Sequence, residues 1–235
     1  DENIFVLWRE YDTPRCRDLK CITALFCRLS NDGGRTFSEP YLIVKNIVED
    51  FSVDALMCPI LIKHGDRYLI YATWYQFNPT KKNLGVAIWE GTSLTNPDFM
   101  LKHLNNIEPV WTVDKWHQLS VFGRLYFFPI PHKYDLWHFD LFEYENKLYM
   151  ISCEDKTDNI MLGVSEDYIH FKTYRIPLIN AHYMENRVHY RQKYYKPTAL
   201  VENDTLHLFY TSNDKDNYRQ NVLWKVELDL NNIPC

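Results

Sequence analysis

A repeated hairpin pattern is the sequence feature that most constrains the fold. Each copy has an apolar strand, a short polar turn and a second strand in which aromatic and other residues alternate with a period of two. The copies are "ILIKHGDRYLIYATW" (60–74), "LFEYENKLYMISCED" (141–155), "ALVENDTLHLFYTSND" (199–214) and the half-copy "DENIFVLWRE" (1–10). Such repetition indicates an architecture in which neighbouring units bury a shared core.

Each hairpin is followed by a third apolar run and often by a short fourth, such as "PYLIV" or "FMLKHL". Four strands in this order form the antiparallel meander of one β-propeller blade. We therefore predict an all-β fold, with residues 1–235 as a single β-propeller domain of four-stranded blades. Rings of about 4–8 blades close, so either this ring is small or a further blade lies upstream of Asp1; a five-bladed ring, truncated at its N-terminus in the second case, is the favoured expectation. Residues 106–136 are predicted as an insertion that forms a lid or rim loop.

The stretch "SNDGGRTF" (30–37) holds two of the seven glycines of the chain. It matches the Asp-box pattern S-x-D-x-G-x-T-[WF], which occurs in sialidases and other carbohydrate-active propellers. Ser30 and Asp32 suit the capping of turn amides, and Gly34 suits a positive φ. A degenerate copy, "SEDYIHF" (165–171), occupies the same place in a later repeat. The pattern predicts a blade corner rather than a catalytic loop.

Composition excludes several classes of partner and cofactor. The net charge is −5 and no basic run occurs, which argues against nucleic acid because phosphate binding requires clustered Lys and Arg. No apolar run reaches the roughly 18–20 residues that span a bilayer, so no membrane span is predicted. The six cysteines lack CxxC spacing, so zinc is not expected. The sequence does not indicate an oligomeric state.

The order of the motifs resembles the five-bladed propeller glycoside hydrolases, the group of arabinanases, xylosidases and invertases. The matching stretches include "SNDGGRTFSEP", "DALMCPILIKHGDRYLIYATW", "LWHFDLFEYENKLYMISCED" and "YYKPTALVENDTLHLFYTSND". The chain looks closest to an uncharacterised branch of glycosidases with an inner strand Trp-His-x-Asp, matched here by Trp137, His138 and Asp140. The last blade of that branch opens Tyr-Arg-x-Thr. This chain has Tyr195 and Lys196 at the first two positions, so a role that needs the bidentate fork of arginine is not expected.

The resemblance implies hydrolysis of an oligo- or polysaccharide by paired carboxylates, because glycosidic cleavage needs a proton donor and a second carboxylate. The candidate catalytic acids are Asp54, which precedes an inner strand, Asp140, and Glu154 at the end of the next strand. Asp54 could equally cap a turn, and Glu154 could lie on a solvated hairpin end. Asp140 lies in an apolar strand, where an unpaired carboxylate is costly, and this favours a site role.

Candidate substrate-binding residues come from the same segments. His138 is two positions from Asp140 and therefore shares its strand face. Trp74, Trp137 and Tyr195 could stack on sugar rings, although aromatic residues of this kind more often serve core packing. Arg9 and Lys196 could bind hydroxyls. No cofactor is predicted. An axial calcium, which some such propellers hold, stays open, since no dedicated calcium loop is seen.

An alternative function is a non-catalytic propeller that binds glycans. In the five-bladed hydrolases the catalytic base usually lies on the innermost strand of the first blade, and here the sequence begins after the place of that strand. A carbohydrate substrate or ligand is expected in both cases. The expected location is secreted or periplasmic, with the cytoplasm as the alternative.

Overall fold

The computed structural model describes residues 3–45, 54–78, 81–96, 98–105, 116–121, 124–129, 136–154, 159–174, 177–179, 192–214 and 221–233. Strands dominate these ranges. The chain divides into two compact units, Asp1–Asn106 and Ile107–Cys235. The assignment of one domain to the whole chain stays a prediction.

The first unit contains two antiparallel sheets whose strands follow one another in chain order. The first sheet consists of β1 (Ile4–Tyr11), β2 (Thr23–Ser30) and β3 (Tyr41–Lys45). The second sheet consists of β4 (Asp54–His64), β5 (Arg67–Asn78), β6 (Lys81–Gly91) and β7 (Met100–Asn105). A short helix, α1 (Pro14–Asp18), lies between β1 and β2, and the Thr13 hydroxyl caps it by accepting from the Cys16 amide.

The second unit contains three antiparallel sheets within the described residues. They are β8 (Trp116–Val121) with β9 (Arg124–Pro129); β10 (Leu136–Tyr144), β11 (Lys147–Glu154), β12 (Ile160–Ser165) and β13 (Lys172–Thr173); and β14 (Gln192–Glu202), β15 (Thr205–Asp214) and β16 (Asn221–Asp229). A 3-10 turn, Leu230–Asn232, follows.

The predicted all-β fold with four-stranded antiparallel sheets is confirmed. The segment predicted as an insertion differs from a plain loop, because β8 and β9 pair there along their whole length. Their sequences, "WHQLSV" and "RLYFFP", are rich in the aromatic and branched residues that favour strands. The repeat search missed this hairpin because its pattern departs from that of the other copies.

Local sequence explains the hairpins that bring the inner strands back on themselves. The β10–β11 turn has Glu145 at φ 48° and Asn146 at φ 60°, and the β14–β15 turn has Asn203 at φ 49° and Asp204 at φ 59°. Two successive residues with positive φ are the signature of the two-residue turn whose twist matches paired strands. Asn and Asp tolerate this conformation better than other side chains.

Strands β4 and β14, each the first strand of its sheet, carry a register shift in their first half. The register shifts between Met57 and Ile60 in β4, and between Tyr195 and Thr198 in β14. In both strands the residue before a proline, Cys58 or Lys196, has a positive φ of 51° or 49°. A bulge of this kind adds one residue and re-aims the neighbouring side chains, so these strands begin with altered side-chain directions.

Each unit has its own core. In the first unit the core packs one sheet on the other through Leu25, Leu56, Ile70, Ala72, Trp74, Ala87 and Trp89. In the second unit the core joins the β10–β13 sheet to the β14–β16 sheet through Phe142, Tyr149, Ile151, Ile160, Leu162, Tyr194, Leu206, Leu208, Tyr210 and Leu230. Burial of one such large side chain contributes about 1.5–3 kcal/mol, so these interfaces hold the inner strands in place.

Candidate active site

Asp140 connects two inner strands of the second unit. Its Oδ2 accepts a hydrogen bond of 2.5 Å from the Thr198 hydroxyl and one of 3.0 Å from the Ala199 amide, both on β14. Its Oδ1 accepts from the Leu141 amide at 2.9 Å. The carboxylate is thus fixed in position by three donors, two of which come from the neighbouring sheet.

His138 and Tyr195 lie beside this connection. Their rings meet edge to face, with centroids 4.4 Å apart and an interplanar angle of 85°. The amine of Lys196 lies 5.6 Å from the centroid of the Tyr195 ring, within cation–π range. His138 and Asp140 both contact β14, in accordance with the shared strand face that the sequence predicts. The structure therefore brings together four of the predicted site residues, His138, Asp140, Tyr195 and Lys196.

Thr198 belongs to this group, and the sequence did not single it out as a site residue. It is the last residue of the Tyr-x-x-Thr stretch, so the motif contained the signal. What sequence could not supply was its hydrogen-bond partner, 58 residues away. We call Asp140, Thr198, His138, Tyr195 and Lys196 the β10–β14 cluster.

Glu154 has a different relation to Asp140. It ends β11 and pairs with Leu136, the first residue of β10. His138, which is in phase with Asp140, pairs with Cys153. Because positions alternate between the two faces of a sheet, position 154 falls on the face opposite to positions 138 and 140. The register therefore does not favour a pairing of Asp140 with Glu154.

The side chains of Asp54, Trp137 and Glu154 lie outside the described part of the structure. The backbone of Asp54 begins β4 and pairs with Gln76, in agreement with its predicted place at the start of an inner strand. The catalytic roles of these acids stay predictions.

The remaining candidates, Arg9 and Trp74, belong to the first unit. The Arg9 guanidinium donates to the Leu56 carbonyl at 3.1 Å and lies 5.6 Å from the centroid of the Tyr11 ring. Trp74 is 7% exposed and packs in the core of that unit. Core packing was the commoner alternative for Trp74, and it describes the position observed.

The 30–37 turn is held by a dense local network around Asp32. The Ser30 hydroxyl donates to Asp32 Oδ1 at 2.7 Å, while Thr36 donates its amide to Oδ1 at 2.9 Å and its hydroxyl to Oδ2 at 2.6 Å. These donors, with the Thr36 hydroxyl first among them, lower the pKa of Asp32 to about 2. The Ser30 hydroxyl accepts from the Gly34 amide, and Gly34 has φ +88°. The hydrogen bonds anticipated from the sequence are present.

The corresponding turns of two later sheets use the same chemistry. At 165–171, Asp167 accepts from the Ser165 hydroxyl, from the amides of Ile169 and His170 and from the His170 ring. Partial burial raises the pKa of Asp167, but these hydrogen bonds outweigh it and hold the pKa well below its usual range. Between β6 and β7, Asp98 accepts from both the amide and the hydroxyl of Thr92. Sequence reasoning missed this third corner because Thr92 and Asp98 are six residues apart, whereas the Asp-box pattern places its hydroxyl residues two positions before and four positions after the aspartate.

Two properties of the described ranges concern metal binding and membranes. Those ranges hold no group of three or more His, Cys, Asp or Glu side chains arranged to bind a metal ion. Nor do they include a helix with the length and apolar character needed to cross a membrane.

Comparison with solved structures finds extensive likeness in fold at low sequence identity. An α-L-arabinofuranosidase of Fusarium graminearum, solved with arabinobiose, matches with a TM-score of 0.58 at 10% identity, over 99% of this chain and 56% of that one. An endo-arabinase of Bacteroides thetaiotaomicron matches with a TM-score of 0.60 at 13% identity, over 97% of this chain and 72% of that one. A β-fructofuranosidase of Bombyx mori matches with a TM-score of 0.62 at 11% identity, over 98% of this chain and 45% of that one.

No protein-family model matches the chain, and no curated protein matches it in sequence. The chain spans a little over half the length of the arabinofuranosidase that it resembles. The structural matches show that this chain shares the β-propeller fold of these proteins over nearly its whole length.

Proposed function

We propose that this chain hydrolyses O-glycosyl bonds of an oligo- or polysaccharide, using carboxylates on its inner strands. The observation that carries the proposal is the β10–β14 cluster, set in a fold that matches arabinan- and fructoside-cleaving enzymes over nearly the whole chain. Glycosidic cleavage requires two carboxyl groups at defined separation. Asp140, on an inner strand of this fold and fixed by three donors, is suited to be one of them.

The residues around Asp140 suit binding of a sugar in an oriented manner. Tyr195 and His138 provide ring surfaces, and Lys196 provides a cation that donates to hydroxyl groups. Lys196 and Thr198 are both exposed, so this edge of the cluster is open to a ligand. Asp54 and Glu154 stay the sequence-based candidates for the second carboxylate, and Trp137 for a further stacking surface.

The second candidate function is glycan binding without cleavage. Two observations favour it over hydrolysis. Donors of the protein already occupy three of the roughly four acceptor positions of the Asp140 carboxylate, which leaves little capacity for proton transfer there. Lys196 also stands where the resembling branch has an arginine, and a lysine lacks the bidentate geometry of arginine.

A substrate panel separates the two functions. The purified chain is incubated with arabinan, a β-1,3-galactan, sucrose and aryl glycosides of arabinofuranose, xylose and galactose, and released sugar is measured. Hydrolysis of at least one substrate is expected. Saccharide binding without product release at high enzyme concentration would support the second candidate, and neither binding nor hydrolysis would refute both.

Substitution of the predicted acids identifies the partner of Asp140. Because position 154 falls on the opposite face from Asp140, we expect Asp54→Asn to reduce hydrolysis more than Glu154→Gln does. Glu166→Gln is the matched control, since the Glu166 side chain is 82% exposed on the 165–171 corner. Equal activity of all three variants would remove Asp54 and Glu154 from the mechanism.

We further propose a secreted or periplasmic location, because intact polysaccharides do not enter cells. Among the described cysteines, Cys16, Cys21 and Cys27 are buried free thiols, and burial limits their oxidation in such a compartment. We also assign the 30–37 turn as an Asp-box, supported by the hydrogen bonds of Ser30, Asp32 and Thr36. Detection of the protein in culture medium or periplasmic extract tests the location.

A further inference from the structure

A cavity of 430 Å³ opens beside the 30–37 turn. Its lining residues, all in the first unit, are Leu29, Asn31, Asp32, Thr36, Phe37, Ser38, Tyr41 and Thr95. None of them belongs to the β10–β14 cluster. The volume falls within the roughly 300–1,000 Å³ of small-molecule sites. The cavity lies between the corner of the first sheet and the β6–β7 turn of the second, which contributes Thr95.

Two aromatic rings on this surface are open to solvent. Phe37 is 41% exposed and Tyr41 is 39% exposed. Exposed aromatic rings that line a cavity offer flat apolar faces, and the C–H face of a sugar ring packs on such faces while its hydroxyls remain available for hydrogen bonds. A purely apolar ligand would leave the polar groups of the same cavity unsatisfied.

The polar groups of the cavity suit a ligand with several hydroxyls. The Asn31 carboxamide makes no hydrogen bond to any other residue in the described part of the chain and is exposed, so its donors and its acceptor are available. Ser38 and Thr95 line the same space, but the Ser38 hydroxyl already bonds to Leu29 and Glu39 and the Thr95 hydroxyl to Ser93, so Asn31 is the main group available to a ligand. Asp32 contributes little to a ligand, because its carboxylate already accepts from Ser30 and Thr36.

The charge of the lining restricts the ligand further. The lining includes the carboxylate of Asp32 and no lysine, arginine or histidine. A phosphate, sulfate or uronate would meet no cation there and would be repelled by Asp32. The turn is also rigid before any ligand arrives, since Asp32 ties Ser30 to Thr36, and a preorganised surface costs less entropy to occupy.

We propose that this cavity is a binding site for a neutral saccharide, additional to the site proposed for cleavage, with Tyr41 and Phe37 as stacking surfaces and Asn31 as the principal hydrogen-bonding group. Such a site would hold a glycan chain on the protein independently of the β10–β14 cluster. It goes beyond the proposed function, since it requires no chemistry at Asp140.

The test uses the whole chain and two neutral probes, arabinobiose and β-1,3-galactotriose, with galacturonic acid as an anionic control. Amide chemical shifts are followed by NMR during titration. The neutral probes are expected to shift the signals of residues 30–41 and of Thr95, and galacturonic acid is not. Tyr41→Ala is expected to weaken this binding about tenfold, the loss expected for a stacked aromatic ring. Asn31→Ala is expected to weaken it as well.

Two controls keep the test sharp. Leu42→Ala removes an equally exposed neighbour, 41% accessible, that does not line the cavity, and it should leave binding unchanged. Tyr195→Ala alters the β10–β14 cluster and should not change the shifts at residues 30–41. The proposal is overturned if millimolar neutral saccharide leaves these signals in place, if Leu42→Ala matches Tyr41→Ala, or if binding disappears only in Tyr195→Ala. A failure of hydrolysis alone would leave this site unaffected.

Discussion

Asp32 and Asp140 accept similar sets of hydrogen bonds, but the donors lie at very different separations along the sequence. Each accepts from a threonine hydroxyl, from a backbone amide and from one further donor. The donors to Asp32 are Ser30 and Thr36, two and four residues away. Two of the donors to Asp140, Thr198 and Ala199, are 58 and 59 residues away on a different sheet.

This difference in sequence separation distinguishes the 30–37 turn, a structural corner, from the β10–β14 cluster, a candidate site. The Asp32 network closes one turn, and it forms whenever that turn forms. The Asp140 network requires β10 and β14 to be folded and packed together, and it lies against His138 and Tyr195. A carboxylate of the first kind stabilises local structure, whereas one of the second kind also fixes the geometry of neighbouring side chains on which binding depends.

The largest expected effects come from neutralising each carboxylate in turn. Asp140→Asn is expected to reduce kcat/KM on a cleaved glycan by about a thousandfold, within the range for loss of a catalytic carboxyl group. Its melting temperature should fall by only a few degrees, because the amide oxygen can still accept from Thr198 and Ala199. Asp32→Asn should leave kcat/KM unchanged while it lowers the melting temperature. Unchanged turnover in Asp140→Asn would place Asp140 with Asp32 as a structural residue.

The second test acts on the backbone of the corner. Gly34 has φ +88°, and an added Cβ would lie 3.1 Å from Ile4 Cδ1. Gly34→Ala should therefore lower the free energy of unfolding by about 2 kcal/mol, from left-handed strain plus crowding. Gly33→Ala is the matched control, since Gly33 has φ +70° with nothing within 4 Å, and it should cost about 1 kcal/mol. If urea unfolding shows equal losses of unfolding free energy in the two variants, the Ile4 side chain moves aside without an energetic cost.

The same contrast explains what the sequence could predict. The 30–37 network involves side chains that are near in sequence, so spacing alone predicts it. Hairpins and outer strands also follow from local alternation, and β3 and β7 lie in the predicted fourth runs. The β8–β9 hairpin escaped detection because it is not a copy of the repeat.

The candidate site was predictable only in part. The Trp-His-x-Asp and Tyr-x-x-Thr stretches brought His138, Asp140, Tyr195 and Lys196 into consideration. The contact between these stretches depends on which sheets pack together, and on bulges that shift the phase of β10 and β14. One extra residue changes the face on which a side chain lies, and sequence alternation alone does not reveal where it is inserted.

The third test removes one hydroxyl from each network. Thr198→Val keeps the shape of the side chain but removes the donor to Asp140, and it should lower kcat/KM about tenfold, because the carboxylate loses one hydrogen bond that fixes its position. Thr198→Ser retains the hydroxyl and should restore most of the activity. Thr36→Val removes the equivalent donor to Asp32 and should affect thermal stability alone. A loss of activity in Thr36→Val would show that the corner and the site are coupled.

The smallest expected effect is a pH dependence specific to the corner. The pKa of Asp32 is lowered from 3.8 to about 2, so its ionised form is favoured in the folded state. Its stabilising contribution is fully present above the unfolded pKa and is lost as the pH falls through the folded pKa. The difference in urea midpoint between the native chain and Asp32→Asn should therefore be constant above about pH 5 and shrink toward pH 2. Asp98 and Asp167 titrate in both proteins and cancel in that difference. If the difference in urea midpoint stays constant down to pH 2, the charge of the Asp32 carboxylate contributes nothing to stability. The contrast with Asp140 would then rest only on the sequence separation of the donors.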